Sequence, residues 1–220
     1  MFGKLDKERT RAYMVESHRG RKQPDGAPFF RHPQAVAKLA DQLAARYYTR
    51  KGNLTFPMDQ ITIKDIWHAG MLHDAIEHGR TYDDILEVTS LSVANIVSEV
   101  TSSTRLPRPR RLMEYCNRLN FAEPPVMITK LAEIVHHLES AMQLIDDEAP
   151  KSVVVLNFWP QELVECVEAI RVLRESKINK QWAWCADTAD LLDRMTKRWK
   201  RRHDIKNELL DAFPKLPRRR

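Results

Sequence analysis

Along most of the chain apolar residues return every three or four positions, the period of an amphipathic helix, and neither an internal repeat nor βαβ alternation stands out. Leu5 to Arg19 reads as a first helix that stops near Gly20. Pro24, Gly26 and Pro28 make 20–30 a loop. His32-Pro33 opens a second helix, with Pro33 in a first-turn position and Val36, Leu39, Ala40 and Leu43 on one face. After a polar connection holding Gly52, Asn53 and Pro57, Ile61 to His78 reads as a third helix that Gly79 ends.

Thr81 and Asp84 form a capping box before a short helix, and Ser92 to Val100 is another helical stretch. Leu106 to Pro109 interrupts the pattern, and Arg110 to Leu119 resumes it. Pro124-Pro125 launches a long helix to about Ile145. Ser152 to Leu156 reads as a brief strand, giving at most one short strand or hairpin near 152–158. Pro160 to Ser176 and Lys180 to Arg202 read as two more helices, and Pro214 to Arg220 as a frayed end. The expected fold class is all-α.

At 220 residues the chain is one large domain, or one domain with an appendage. A chain of this size buries roughly 70% of its unfolded surface and needs no disulfides. Hydrophobic residues at 43% and charged residues at 30% exclude a wholly disordered or collagenous chain. No apolar run approaches the roughly 20 residues that cross a bilayer, so no membrane span is expected. The first ten residues lack the apolar core of a secretory signal. Cys116, Cys166 and Cys185 have neither zinc-ribbon nor redox spacing and fit a reducing cytoplasm.

The net charge of +6 is unevenly placed. Residues 197–220 hold ten Lys/Arg and three Asp/Glu, which leaves 26 basic and 27 acidic residues in 1–196. The pI near 9.3 is therefore a property of the tail. The tail's Lys197-Arg-Trp-Lys-Arg-Arg-His203 has the pattern of an RNA or polyphosphate contact, and equally of a solubilising helix end.

The sharpest candidate chemistry is His73-Asp74-Ala-Ile-Glu77-His78, set in the apolar stretch Ile66 to Ile76. On a continuous helix His73 and Glu77 share a face. An ionised Asp in such surroundings is expensive unless it is paired or bound to a cation. Both readings stay open on this fragment: a metal site, or a His–Asp pair that serves the fold. His32 and Glu133 add donors from two further helices. Two imidazoles and two carboxylates suit Mn²⁺, Fe²⁺, Co²⁺ or Zn²⁺. Glu133 and His137 lie four apart on one face, with Lys130 one turn earlier.

Several motifs in order carry a resemblance. They are His18-Arg-Gly20, then Gly26-Ala-Pro-Phe-Phe-Arg-His32-Pro33 with Val36-Ala37. Met71-Leu-His73-Asp74-Ala-Ile-Glu77 follows, then Thr81 and Asp84, Ile96-Val97, Val100-Thr101 and finally Lys130-Leu-Ala-Glu133. Over about 11–144 the chain resembles the HD-domain metal-dependent phosphohydrolases, and among them the RelA/SpoT-type small alarmone hydrolases of the stand-alone, Mesh-like form.

The resemblance implies an all-helical HD fold over 1–196, with 197–220 as a basic extension. It implies one divalent metal, manganese first, on His32, His73, Asp74 and the position of Glu133. Its acidic catalytic pair falls on Glu77 and on the place held by His78. The implied reaction removes the 3′-diphosphate of guanosine tetra- and pentaphosphate alarmones; some stand-alone members also dephosphorylate NADPH.

The chain also departs from the family. Glu133 stands where the family has Asp, His78 where a second acid is expected, His137 where Asn is common, and Gln23 and Pro24 after Arg21 and Lys22 at places often basic. His78 retains acid–base capacity through its imidazole. Arg19, Arg21, Lys22 and Lys130 are candidates to neutralise phosphates, beside His137 in the nucleotide pocket. For Arg19, Arg21 and Lys22 the alternative is a solvated basic face; for Lys130 it is an ion pair with Glu133. His68 and His136 read as partly buried structural residues, and His18 either as a neighbour of the pocket or as a helix-end group. Trp182 and Trp184 read as core packing. Two rival functions remain: a degenerate HD domain that senses nucleotide or metal without turnover, and an RNA-associated protein working through the tail.

Overall fold

The computed structural model describes residues 5–23, 26–51, 61–102, 107–119 and 121–146, with Arg194 and Lys197 besides. Seven helices are seen among them: α1 (Lys7–Ser17), α2 (Arg31–Lys51), α3 (Ile63–Leu72), α4 (Tyr82–Val88), α5 (Leu91–Val100), α6 (Arg108–Leu119) and α7 (Pro124–Asp146). Apart from an isolated bridge between Lys22 and Pro28, the described residues hold no β-structure. The strand expected near 152–158, both late helices, Trp182, Trp184 and nearly all of the basic tail lie outside the described residues.

Local chemistry sets most helix ends. Asp6 caps α1 by accepting from the backbone N–H of Glu8 at 2.8 Å. Thr62 with Asp65, and Thr81 with Asp84, form complete capping boxes for α3 and α4. Gly20 and Gly26 take φ of 77° and 83°, which folds the loop between α1 and α2 back on itself. α6 starts at Arg108, two residues earlier than the expected Arg110, with Pro109 inside its first turn, where Pro needs no N–H partner.

One expectation is corrected. The third helix does not run to His78: the α-helix ends at Leu72, and 73–79 is a series of turns. The His73 Nδ1 bonds to the Gly70 carbonyl at 2.9 Å and competes for an acceptor of the helical ladder. The shared helix face expected for His73 and Glu77 is therefore absent. Gly79, at φ 92°, still closes the segment.

α3 is the hub. It packs against α1, α2, α5 and α7, and α2 also packs on α7. The core is built from Val36, Ala37 and Ala40 of α2, Ile66, Met71 and Leu72 of α3, Val93 and Val97 of α5, and Met127, Ile128 and Leu131 of α7. Each large side chain buried here contributes about 2 kcal/mol relative to exposure. The α2–α3 contact is tight at Gly70, where a Cβ would stand 2.9 Å from the Ala37 Cα. That approach sets His32 of α2 beside the residue that follows α3.

Candidate metal centre

His32 lies in the first turn of α2 and is buried, its backbone N–H held by the Phe29 carbonyl at 2.9 Å. His73 and Asp74 begin the turns after α3 and are buried too. The Nε2 atoms of His32 and His73 face each other at 3.1 Å. His73 Nδ1, spent on the Gly70 carbonyl, carries the ring proton, so its Nε2 is a bare lone pair. Asp74 Oδ2 stands 4.0 Å from that nitrogen and is buried without a hydrogen-bond partner. Donor atoms of His32, His73 and Asp74 all lie within 4.8 Å of one another.

These residues fit a divalent cation. Two ligands at right angles, each about 2.1 Å from a metal, stand about 3.0 Å apart. Lone pairs turned towards one point, beside a buried carboxylate oxygen that has no hydrogen-bond partner among the described residues, are what such an ion requires.

A second histidine array surrounds the first. Burial alone would raise the Asp74 carboxyl, but the imidazoles of His73, His18 and His78 hold it well below the usual carboxylate range. His18 bonds to Asp74 Oδ1 at 3.0 Å through Nε2 and to the Met14 carbonyl at 2.7 Å through Nδ1. Burial opposes charge on His18, yet Asp74 outweighs it and the imidazole pKa is raised. His18, Asp74 and His78 also lie close enough to hold an ion. We read them as a buried ion pair with an adjacent imidazole, because one carboxylate shared between two dications would leave a large uncompensated positive charge.

The remaining predicted residues fall into distinct places. His78 is half-buried, its Nε2 3.6 Å from Asp74 Oδ2 and its ring edge-on to Phe29. Glu77 is exposed, and its carboxylate accepts from the Ser102 backbone N–H at 3.0 Å and hydroxyl at 2.9 Å. Glu133 pairs with Lys130 at 2.8 Å, so the ion-pair alternative for Lys130 holds. Burial would raise the Glu133 carboxyl, but Lys130 and then His73 hold it below its ordinary value. Glu133 is not within the compact triad.

His137 stacks on His32 with ring centroids 4.7 Å apart, and burial pushes its pKa down to about 4. Arg19 is exposed and pairs with Glu16, and Arg21 and Lys22 are exposed. His18 and His136 are the two site residues that sequence reasoning undervalued. His18 at least lay within the motif that carried the resemblance, whereas nothing local marked His136. Among the described residues, no helix is long and apolar enough to cross a membrane.

No family model matches the chain. The guanosine-3′,5′-bis(diphosphate) 3′-pyrophosphohydrolase MESH1 of Danio rerio is 23% identical over 172 residues, covering 76% of this chain and 87% of the fish protein. The Xenopus tropicalis MESH1 is 24% identical over 171 residues with the same coverage. The Mus musculus protein is 28% identical over 119 residues, 54% of this chain and 58% of its own length. A solved structure described as a metazoan ortholog of SpoT that hydrolyses ppGpp superposes with a TM-score of 0.59 at 16% identity, covering 90% of this chain and 98% of that one. In sequence this chain is similar to the MESH1 hydrolases and in fold to the metazoan SpoT ortholog, so the resemblance read from its motifs is borne out.

Proposed function

We propose that the chain is a metal-dependent phosphohydrolase that removes the 3′-diphosphate of a guanosine alarmone. The observation that carries this reading is the apposition of the His32 and His73 Nε2 atoms at 3.1 Å, beside the unpartnered Asp74 Oδ2. The relatives' named activity on guanosine-3′,5′-bis(diphosphate) supports the choice of substrate.

His32, His73 and Asp74 would hold a divalent cation; the donor set suits Mn²⁺, Fe²⁺, Co²⁺ or Zn²⁺, and manganese comes first because the family resemblance implies it. Glu133 would add its carboxylate to this set, directly or through water. A bound divalent ion supplies Lewis acidity towards a phosphate oxygen and lowers the pKa of a water. His18 holds Asp74 Oδ1 and so leaves Oδ2 free for the ion. His78 takes or returns a proton at Nε2, and Glu77 orients the attacking water in place of one of its Ser102 contacts. Arg19, Arg21 and Lys22 neutralise phosphate charge, Lys130 stays with the Glu133 carboxylate, and His137 lines the base pocket. The partner is thus a small phosphorylated nucleotide, in a reducing cytoplasm.

The test is a hydrolysis panel with Mn²⁺ on guanosine tetraphosphate, NADPH and deoxynucleoside triphosphates, with Asp74→Ala as control. Diphosphate release from the alarmone that the variant loses is the expected result. Release from another panel member alone moves the substrate. A folded, metal-loaded protein that turns over none of them favours the second reading, a sensor without turnover. That rival draws on the engagement of Glu133 by Lys130 and of Glu77 by Ser102.

A further inference from the structure

His32 is held differently from its partner His73. A metal-ligating imidazole needs a bare lone pair on one nitrogen and a fixed partner for the proton on the other. His73 meets this need locally, because its Nδ1 bonds to the Gly70 carbonyl three residues back. His32 has no such local partner. Its Nδ1 lies 2.8 Å from the Nδ1 of His136, which belongs to α7 and is 104 residues away in the chain.

Hydrogen-bond bookkeeping then fixes three rings at once. If His32 is to offer Nε2 to a cation, its proton must sit on Nδ1. Among the described residues the group that meets that nitrogen, at 2.8 Å, is another ring nitrogen, so His136 Nδ1 must accept and His136 must carry its own proton on Nε2. In the reverse arrangement His136 donates, His32 Nε2 is protonated, and that proton points at His73 Nε2 3.1 Å away. That second state satisfies every hydrogen bond and closes the site to a cation. Both tautomers fit the same heavy-atom positions, and only one of them coordinates.

We propose that His136 is a positioning residue of the metal centre, accepting the Nδ1–H of His32 so that His32 Nε2 faces His73 and Asp74 as a lone pair. The inference rests on the metal-site reading of His32, His73 and Asp74 and adds to it a partner from α7. The centre then depends on how α7 is seated against α2, and the neighbouring His137, stacked on His32 at 4.7 Å, holds the same ring by its face.

The test measures Mn²⁺ affinity, read from the electron paramagnetic resonance of free Mn²⁺, for the full chain and two variants. His136→Phe keeps a ring of similar size and removes the acceptor. His136→Asn places an amide oxygen close to where Nδ1 stood. Loss of an outer-shell partner of this kind weakens metal binding about 10- to 100-fold, and that is the loss expected for Phe, with Asn restoring affinity close to wild type.

Melting curves without metal separate this effect from a folding defect. Where the Phe variant does not fold, His136→Gln serves instead, since its amide reaches the Nε2 position and not Nδ1; it is expected to show the same loss. Wild-type affinity in the Phe or Gln variant overturns the proposal, as does an Asn variant as weak as Phe. A wild-type protein that takes up no Mn²⁺ overturns the metal-site reading itself and this inference with it. Binding by wild type with no penalty in the variants overturns the inference alone.

Discussion

His18 and Asp74 are 56 residues apart in the chain, yet the His18 Nε2 lies 3.0 Å from Asp74 Oδ1 inside the core. The other ring nitrogen of His18 meets the Met14 carbonyl at 2.7 Å. With an acceptor at each nitrogen, both carry protons and the ring is an imidazolium. The pair is therefore a buried ion pair fastened to α1. Removing one partner leaves an uncompensated charge in the interior, which costs about 3–5 kcal/mol.

His18→Phe, which retains a ring to stack on Phe29, is expected to lower unfolding free energy in urea by about that amount. In a double-mutant cycle with Asp74→Asn, the two changes should couple strongly rather than add. Simple additivity would mean that the contact contributes nothing. The sign of the pH dependence follows from the shifts. The raised His18 pKa gives stability that is complete below its ordinary 6.5 and fades as pH rises through the folded value. The lowered Asp74 pKa gives stability present above its ordinary 3.8 and lost as pH falls through the folded value. Both contributions are whole between those two ordinary values.

His68, on α3 and not one of the proposed metal ligands, predicts the opposite trend. Thr10 donates its hydroxyl to the Asp6 carbonyl at 2.9 Å, so that oxygen accepts from His68 Nδ1 at 2.8 Å. The ring is neutral and fully buried, and burial, with Lys64 next, pushes its pKa from 6.5 down to about 4. The unfolded chain binds a proton in that window and the folded chain does not, so stability falls as pH drops through it. Each pH unit is worth about 1.4 kcal/mol, so the loss is on the order of 3 kcal/mol. His68→Asn keeps a donor for Thr10 without the titration. The stability difference between wild type and this variant is expected to shrink from pH 7 to pH 4, as read by urea unfolding.

Gly70→Ala tests how tightly α2 and α3 must approach. The new methyl would meet Ala37 backbone at 2.9 Å and 3.2 Å, where no side chain can yield. Overpacking of this kind costs about 1–3 kcal/mol, against a gain of about 1 kcal/mol in helix propensity. We expect a lower melting temperature together with weaker Mn²⁺ binding, because the helices that separate carry His32 and precede His73. Unchanged metal affinity in a destabilised variant would show that the site tolerates the shift.

Lys130 and Glu133 form a pair whose side chains are 10% and 15% exposed. Lys130 also lies 4.9 Å over the buried Tyr115 ring. Lys130→Met strands the Glu133 carboxylate and is expected to cost about 3 kcal/mol in urea unfolding, with much of that recovered on adding Glu133→Gln. If Glu133 serves the cation in the wild type, Mn²⁺ should stabilise the Lys130→Met variant more than it stabilises wild type.

The sequence by itself determined what is encoded within a few residues. Helical periodicity placed α2, α5 and α7, the Thr81–Asp84 box placed α4, and Pro124-Pro125 placed the start of α7. Spaced motifs were enough to gather His32, His73 and Asp74 as candidates. The Lys130–Glu133 pair, three residues apart, was already one of two readings; only tertiary structure decided that the chain leaves its α-helix at Leu72, that His18 is buried against Asp74, and that His136 reaches His32. Caps and periodicities act through neighbours three or four positions away and leave a local trace. A bond spanning 56 or 104 residues depends on where whole helices pack, and an isolated histidine looks the same in sequence whether it ends in solvent or against a buried carboxylate.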